Sequence, residues 1–166
     1  MDEAIVKRVM PNSKEAEQSV IGSMIMDRDA IVTASEMLHK DDFYYQQYGI
    51  IFEAMVELFT AGQPVDLVTL QNKLKEKDVP EEISSLGFVR ELLASVPTSA
   101  NIKYYATIVS ENAIKRRLIR TTESIENECY AGKESLESVL NKTEKDIFAL
   151  LNSRSGGDFV PIRQVV

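Results

Sequence analysis

One cysteine, Cys129, and one histidine, His39, stand in 166 residues, and that scarcity excludes several kinds of chemistry at once. A lone thiol forms no internal disulfide and is the usage expected in a reducing, cytoplasmic compartment. A di-metal helical bundle needs Glu-x-x-His on facing helices, whereas Glu36 and His39 supply that spacing once. His39 is read as a solvated imidazole near a helix end. Cys129, with no second cysteine or histidine nearby, is read as a small residue of a helix seam. No apolar run is long enough to span a bilayer, and Met1-Asp2-Glu3-Ala4-Ile5 lacks the basic-then-apolar order of a secretory signal.

A phosphate cradle is also missing. The only approach to G-x-x-x-x-G-K-[ST] is Gly132-Lys133, where Asn127 replaces the first glycine and Glu134 sets a carboxylate at the Ser/Thr position. No catalytic, cofactor-binding or metal-binding residue is expected in this chain, which should neither hydrolyse ATP nor unwind duplex DNA by itself. Clustered carboxylates such as Asp41, Asp42 and Glu53 are read as caps and solvated charges.

The net charge of −7 is unevenly placed. Residues 1–100 hold nine Lys+Arg against seventeen Asp+Glu, net −8, and residues 101–166 hold ten against nine, net +1. The acidic first part repels phosphate. The basic run Lys115, Arg116, Arg117 and Arg120 is the one candidate contact for an acidic partner or nucleic acid. A solvated helix face is the simpler account of it, and DNA affinity should be weak and lost with modest salt.

No segment alternates with period two, so the fold class is all-α: a compact head of about five to six helices followed by a long antiparallel hairpin. Asn12 with Glu15 reads as the start of a helix carrying Ala16, Val20, Ile21, Met24 and Ile25. Asp29 should cap a second helix with Ile31, Val32, Met37 and Leu38, and Asp41-Asp42 a third from Phe43 to Ala61. Asp66 is the natural cap of a fourth, with Leu67, Leu70 and Leu74 inward. Pro80 and Glu81-Glu82 break the chain before a fifth, Ser85 to Val96, which Pro97 closes. Thr98 or Ser99 caps a sixth of about 45 Å.

That sixth helix runs to Gly132 and carries Ile114, Leu118, Thr121, Ile125 and Cys129 at steps of three and four. After Ala131-Gly132-Lys133-Glu134 a second run, Leu136, Leu140, Thr143, Ile147 and Leu150, has the spacing of a coiled-coil seam. So short a connection makes the two helices an antiparallel hairpin. The hairpin is longer than a compact head needs and should project. One seam packs within it, Leu136, Leu140, Ile147 and Leu150 lying on Leu118 and Ile125. Flanking apolar residues then need a second hairpin. The expected subunit interface is Ile114, Leu118, Ile119, Ile125, Leu136, Val139, Leu140, Ile147, Phe148 and Leu151. The domain boundaries follow: an arm 1–12, a head 13–110, a dimerisation hairpin 111–151, and a linker 152–166 whose apolar pattern Phe159-Val160-Pro161-Ile162 stops short, as in a chain cut from a longer one.

The order of several blocks resembles the N-terminal domain of the bacterial DnaB-type replicative DNA helicase. They are Pro11-Asn12 with Glu15-Ala16-Glu17-Gln18-Ser19-Val20-Ile21-Gly22, Asp42-Phe43-Tyr44, Ile51-Phe52-Glu53-Ala54-Met55, Pro64-Val65-Asp66-Leu67-Val68-Thr69-Leu70, Val96-Pro97-Thr98-Ser99-Ala100-Asn101-Ile102 and Tyr104-Tyr105-Ala106-Thr107-Ile108-Val109. Two departures stand out: Tyr48 occupies a position where the family commonly has histidine, and Ser84-Ser85-Leu86-Gly87 replaces a usual glycine pair. The resemblance implies a collar domain that pairs as dimers within a hexameric ring and receives primase and a helicase loader in the nucleoid-associated replisome. ATP and Mg, and most of the grip on single-stranded DNA, would belong to an absent RecA-type motor domain after the linker. The competing reading is a free-standing helical dimerisation or adaptor module, which a reading frame continuing past Val166 into a phosphate-binding loop would reject.

Overall fold

A computed structural model describes residues 8–96 and 101–154. Among them are eight α-helices and no strand: α1 Lys14–Met26, α2 Arg28–Met37, α3 Gln46–Thr60, α4 Leu67–Glu76, α5 Glu81–Ser84, α6 Leu86–Ala94, α7 Ile102–Ala131 and α8 Leu136–Arg154, with a 3-10 turn at Lys40–Asp42. The chain divides into two units, Asn12–Ala113 (the head) and Met1–Pro11 with Ile114–Val166 (the hairpin unit). The residues of α7 belong partly to each. The expected ends at Pro97, Thr98 and Ser99, and the pattern from Phe159 to Ile162, lie outside the described residues.

In the head, α1 is buried over most of its circumference, with Ala16, Val20, Ile21 and Met24 in the core and Glu17, Ser19, Gly22 and Ser23 also covered. It packs on α2, α3 and α6. Gly22 leaves room for Val96, two residues past the end of α6, since a Cβ there would meet Val96 Cγ2 at 2.4 Å. From α3 come Tyr48, Ile51, Phe52, Met55 and Leu58, and from α4 Leu70 and Leu74. Each such large side chain removed from water contributes roughly 1.5–3 kcal/mol.

Helix starts show where local sequence decides. Asp66 caps α4 as expected: its Oδ1 accepts the Val68 and Thr69 N–H groups at 2.9 Å each, and Thr69 Oγ1 accepts the Asp66 N–H at 3.0 Å. Those N–H groups hold the Asp66 carboxyl below its ordinary value, the Thr69 bond foremost. Other starts are displaced. The α1 cap is Ser13, whose Oγ accepts the Ala16 N–H, while Asn12 instead accepts the Tyr45 hydroxyl at 3.5 Å. Asp27 rather than Asp29 caps α2. The Asp41-Asp42 pair forms the 3-10 turn, where Asp42 Oδ2 accepts the His39 N–H at 2.8 Å, and α3 begins only at Gln46. Glu81 and Glu82 open α5, the one-turn helix after Pro80, and Ser85 caps α6 through the Phe88 N–H.

Tyr48 is buried and its hydroxyl accepts a hydrogen bond from Gln18 Nε2 at 3.0 Å. Burial pushes its phenol above the ordinary value, so this position carries no charge at neutral pH.

Candidate functional site

The hairpin unit is built on one turn and two phasings of apolar residues. Gly132, at φ +60°, ends α7. Ser135 then starts α8, its Oγ accepting the Ser138 N–H at 3.2 Å. In α8 Val139 is buried, and Thr143, Asp146, Ile147 and Leu150 are half-covered; all but Ile147 fall in one phase, 139-143-146-150. That is a 4-3-4 spacing, a second seam beside the expected one. Lys142 pairs with Glu128 across the hairpin. The Glu128 carboxylate, assisted by Asp146 and Glu134, holds the Lys142 ammonium above its ordinary value.

Choosing that phase turns the larger side chains outward. Leu136, Leu140, Phe148 and Leu151 are all more than half exposed, and Leu136 is 74% exposed. At 100° per residue Leu136, Leu140, half-covered Ile147 and Leu151 fall within one 60° stripe, and Phe148 flanks it. The expectation that Leu136, Leu140, Ile147 and Leu150 pack on Leu118 and Ile125 is therefore corrected for Leu136 and Leu140, while Ile147 and Leu150 are half-covered; the seam position of Cys129 is also corrected, since it is exposed. On α7, Leu118 is exposed and Ile114, Ile119 and Ile125 are half-covered. Of the ten expected interface residues, Val139 is the one that the hairpin itself buries. A continuous stripe of exposed leucines on one helix is what an interaction face presents to water before its partner arrives.

The basic run does not act together. Lys115 and Arg120 are exposed and Arg117 is half-covered, but Arg116 is only 4% exposed and donates from Nη1 to the Pro11 carbonyl at 2.7 Å. It ties the N-terminal segment to the first turn of the hairpin and is removed from the candidate partner contacts. The signal was present in the spacing, because 109, 113 and 116 continue one buried stripe of α7. His39 has its side chain 88% exposed, and among the described residues no group of His, Cys, Asp and Glu is placed to hold a metal ion. No helix of the described residues is long and apolar enough to cross a membrane.

Comparison with known proteins points the same way. The model of the DnaB-like helicase N-terminal domain matches residues 9–111. The chain is 38% identical over all its 166 residues to the replicative DNA helicase DnaB of Geobacillus stearothermophilus, of which it covers 37%. The replicative DNA helicase DnaC of Bacillus subtilis is equally similar, at 38% identity and 37% of its length. The chain thus spans little more than a third of these relatives. Among solved structures, the N-terminal domain of the Mycobacterium tuberculosis DnaB helicase superposes with a TM-score of 0.79 at 34% identity, over 84% of this chain and 99% of that one. The corresponding domain from Helicobacter pylori, described with its interactions with primase, gives 0.61 at 25% identity over 70% and 90%.

Proposed function

Since the chain belongs to the DnaB-like helicase N-terminal domain family, we propose that it is the collar of a ring-forming replicative helicase, pairing with a second copy through the outer stripe of α8 and receiving primase on the assembled collar. The observation that carries this reading is the stripe itself: Leu136, Leu140, Phe148 and Leu151 lie exposed while smaller or polar groups fill the inner seam. A second hairpin laid on that stripe makes a four-helix arrangement, the usual remedy for a helix pair with two apolar faces. Leu118 lies exposed, and Ile114 and Ile119 half-covered, on α7, where they extend the same interface. The primase part rests on likeness to the Helicobacter pylori domain, a protein described with that partner.

In this reading the chain supplies pairing and docking. ATP and Mg, and most of the grip on single-stranded DNA, belong to the motor part of the whole protein, which works in the cytoplasm at the nucleoid, while a loader, like primase, is received at the collar. Lys115, Arg117 and Arg120 remain a weak, salt-sensitive contact for nucleic acid or an acidic partner. Sedimentation equilibrium of the chain beside a Leu140→Asp, Leu151→Asp double variant tests the pairing. The wild type is expected to dimerise below about 100 μM, a constant equivalent to roughly 5.5 kcal/mol, and the equally helical variant to stay monomeric. A wild type monomeric at that concentration would overturn the reading.

A further inference from the structure

The head carries a groove that the pairing reading leaves unused. It lies between the C-terminal end of α2, the 3-10 turn and one face of α3, and encloses about 500 Å³. Leu38, Phe52 and Val56 form an apolar floor, and the rim carries the carboxylates of Asp41, Glu53 and Glu57 together with Lys40 and His39. Its volume lies in the range of binding clefts, and its wide mouth suits a side chain presented by another protein better than an engulfed small molecule.

The groove is held in shape before anything enters it. Asp42 fastens the turn through the His39 N–H, and α3 packs so tightly beneath that a Cβ on Gly49 would lie 2.6 Å from the Lys40 carbonyl oxygen. Lys77, from the end of α4, fixes Glu57 at 2.6 Å and reaches Glu53 at 3.4 Å. A preformed cleft loses little freedom when it is filled.

Charge selects the occupant. The head, Asn12–Ala113, has eight Lys+Arg against sixteen Asp+Glu, net −8, which draws in cations and turns phosphate away. At the rim, exposed Asp41 makes no hydrogen bond or ion pair among the described residues. Glu53 Oε2 has Lys40 at 3.3 Å and Lys77 at 3.4 Å; Lys40 is half exposed, and so exposed a contact is weak enough for a guanidinium to replace it.

We propose that this groove docks a basic amphipathic helix of a protein partner, which sets an apolar side chain over Leu38 and Val56 and an arginine one turn away on Asp41 and Glu53. Residues at i and i+4 of a helix present such a pair on one face. The proposal concerns the head alone and stands whether or not α8 pairs.

Nuclear magnetic resonance titration of the isotope-labelled chain with synthetic helical peptides tests it. One peptide carries Leu and Arg at i and i+4 in a neutral alanine-glutamine host, a second has Ser for Leu, and a third has Glu for Arg. The first is expected to shift the amides of 35–41 and 52–57 saturably, and the other two to leave them unmoved. Asp41→Lys, a change at an exposed position, and Val56→Glu should each weaken binding about tenfold. The Leu140→Asp, Leu151→Asp variant should bind as well as wild type, which separates this result from the fate of the pairing reading. Shifts spread over the whole acidic surface, equal binding of the Ser peptide, affinity unchanged in Asp41→Lys, or displacement of the same amides by a single-stranded oligonucleotide would each overturn it.

Discussion

Lys77 Nζ lies 2.6 Å from Glu57 Oε1 and 3.4 Å from Glu53 Oε2, so one ammonium at the end of α4 holds two successive turns of α3. Lys73 adds a second contact to Glu57 at 3.4 Å. The hydrogen bond from Lys77 lowers the Glu57 carboxyl below its ordinary 4.5, and the bond to Glu57 raises Lys77 above its ordinary 10.5.

The pH dependence follows from those signs. A depressed carboxyl contributes stability that is complete above its unfolded value and disappears as pH falls through the folded one. A raised ammonium contributes stability that is complete below its unfolded value and disappears as pH rises through the folded one. Urea midpoints should therefore fall below pH 4.5 and again above pH 10.5. Glu57→Gln should flatten both limbs relative to wild type, and an unchanged acid limb in that variant would refute the assignment.

Gly49 and Gly87 should respond oppositely to alanine. At Gly49 the new methyl would meet the Lys40 carbonyl at 2.6 Å, a backbone atom that cannot swing aside, and the loss should be about 1–3 kcal/mol. At Gly87 the nearest atom is Ser85 Oγ at 4.0 Å, so the helical gain of about 0.5–1 kcal/mol should appear instead. Thermal melting of the two variants measures both.

Ser23 is fully buried and its Oγ has no hydrogen-bond partner among the described residues. Removing an unsatisfied hydroxyl removes its desolvation cost, so Ser23→Ala should raise stability by up to about 1 kcal/mol. A lower urea midpoint would show that the hydroxyl is satisfied in solution.

Arg116→Ala should act on stability rather than on nucleic-acid affinity. It removes the donor to the Pro11 carbonyl, and the expected cost is about 1–3 kcal/mol with faster amide exchange at 8–12. Arg120→Ala, at an exposed position, should change stability by less than about 0.5 kcal/mol. A large loss of DNA affinity in Arg116→Ala without loss of stability would restore that residue to the partner contacts.

The legibility of this chain tracks the range of the forces involved. Asp66 was readable because its partners Val68 and Thr69 follow within one turn, and the core stripes of α1, α3 and α4 were readable from period alone. The start of α1 was misplaced by one residue because Asn12 and Ser13 are both good caps, and Tyr45, distant in sequence, takes up the first of them. The hairpin phase was ambiguous for a similar reason. The runs 136-140-143-147-150 and 139-143-146-150 both repeat as heptads, and the cross-hairpin pair of Lys142 with Glu128 belongs to the second. Arg116 continues the stripe of Val109 and Ala113, but the carbonyl that satisfies its buried guanidinium lies across the whole head in sequence, and the groove over Leu38 and Val56 has no sequence signature at all.

In the hairpin Val139 is buried and Thr143 and Leu150 are half-covered while Leu136, Leu140 and Leu151 face water, and under the proposed pairing this makes protein concentration a state variable of the segment. On the proposed pairing, this helix pair draws much of its remaining apolar burial from a second molecule, so by mass action its melting temperature should climb with concentration. The head, whose core residues such as Ile21, Ile51, Met55 and Leu70 are buried within one chain, should show much less of this dependence. Dilution would then loosen the hairpin while leaving the head folded, and subunit exchange would be governed by how readily that one segment frays.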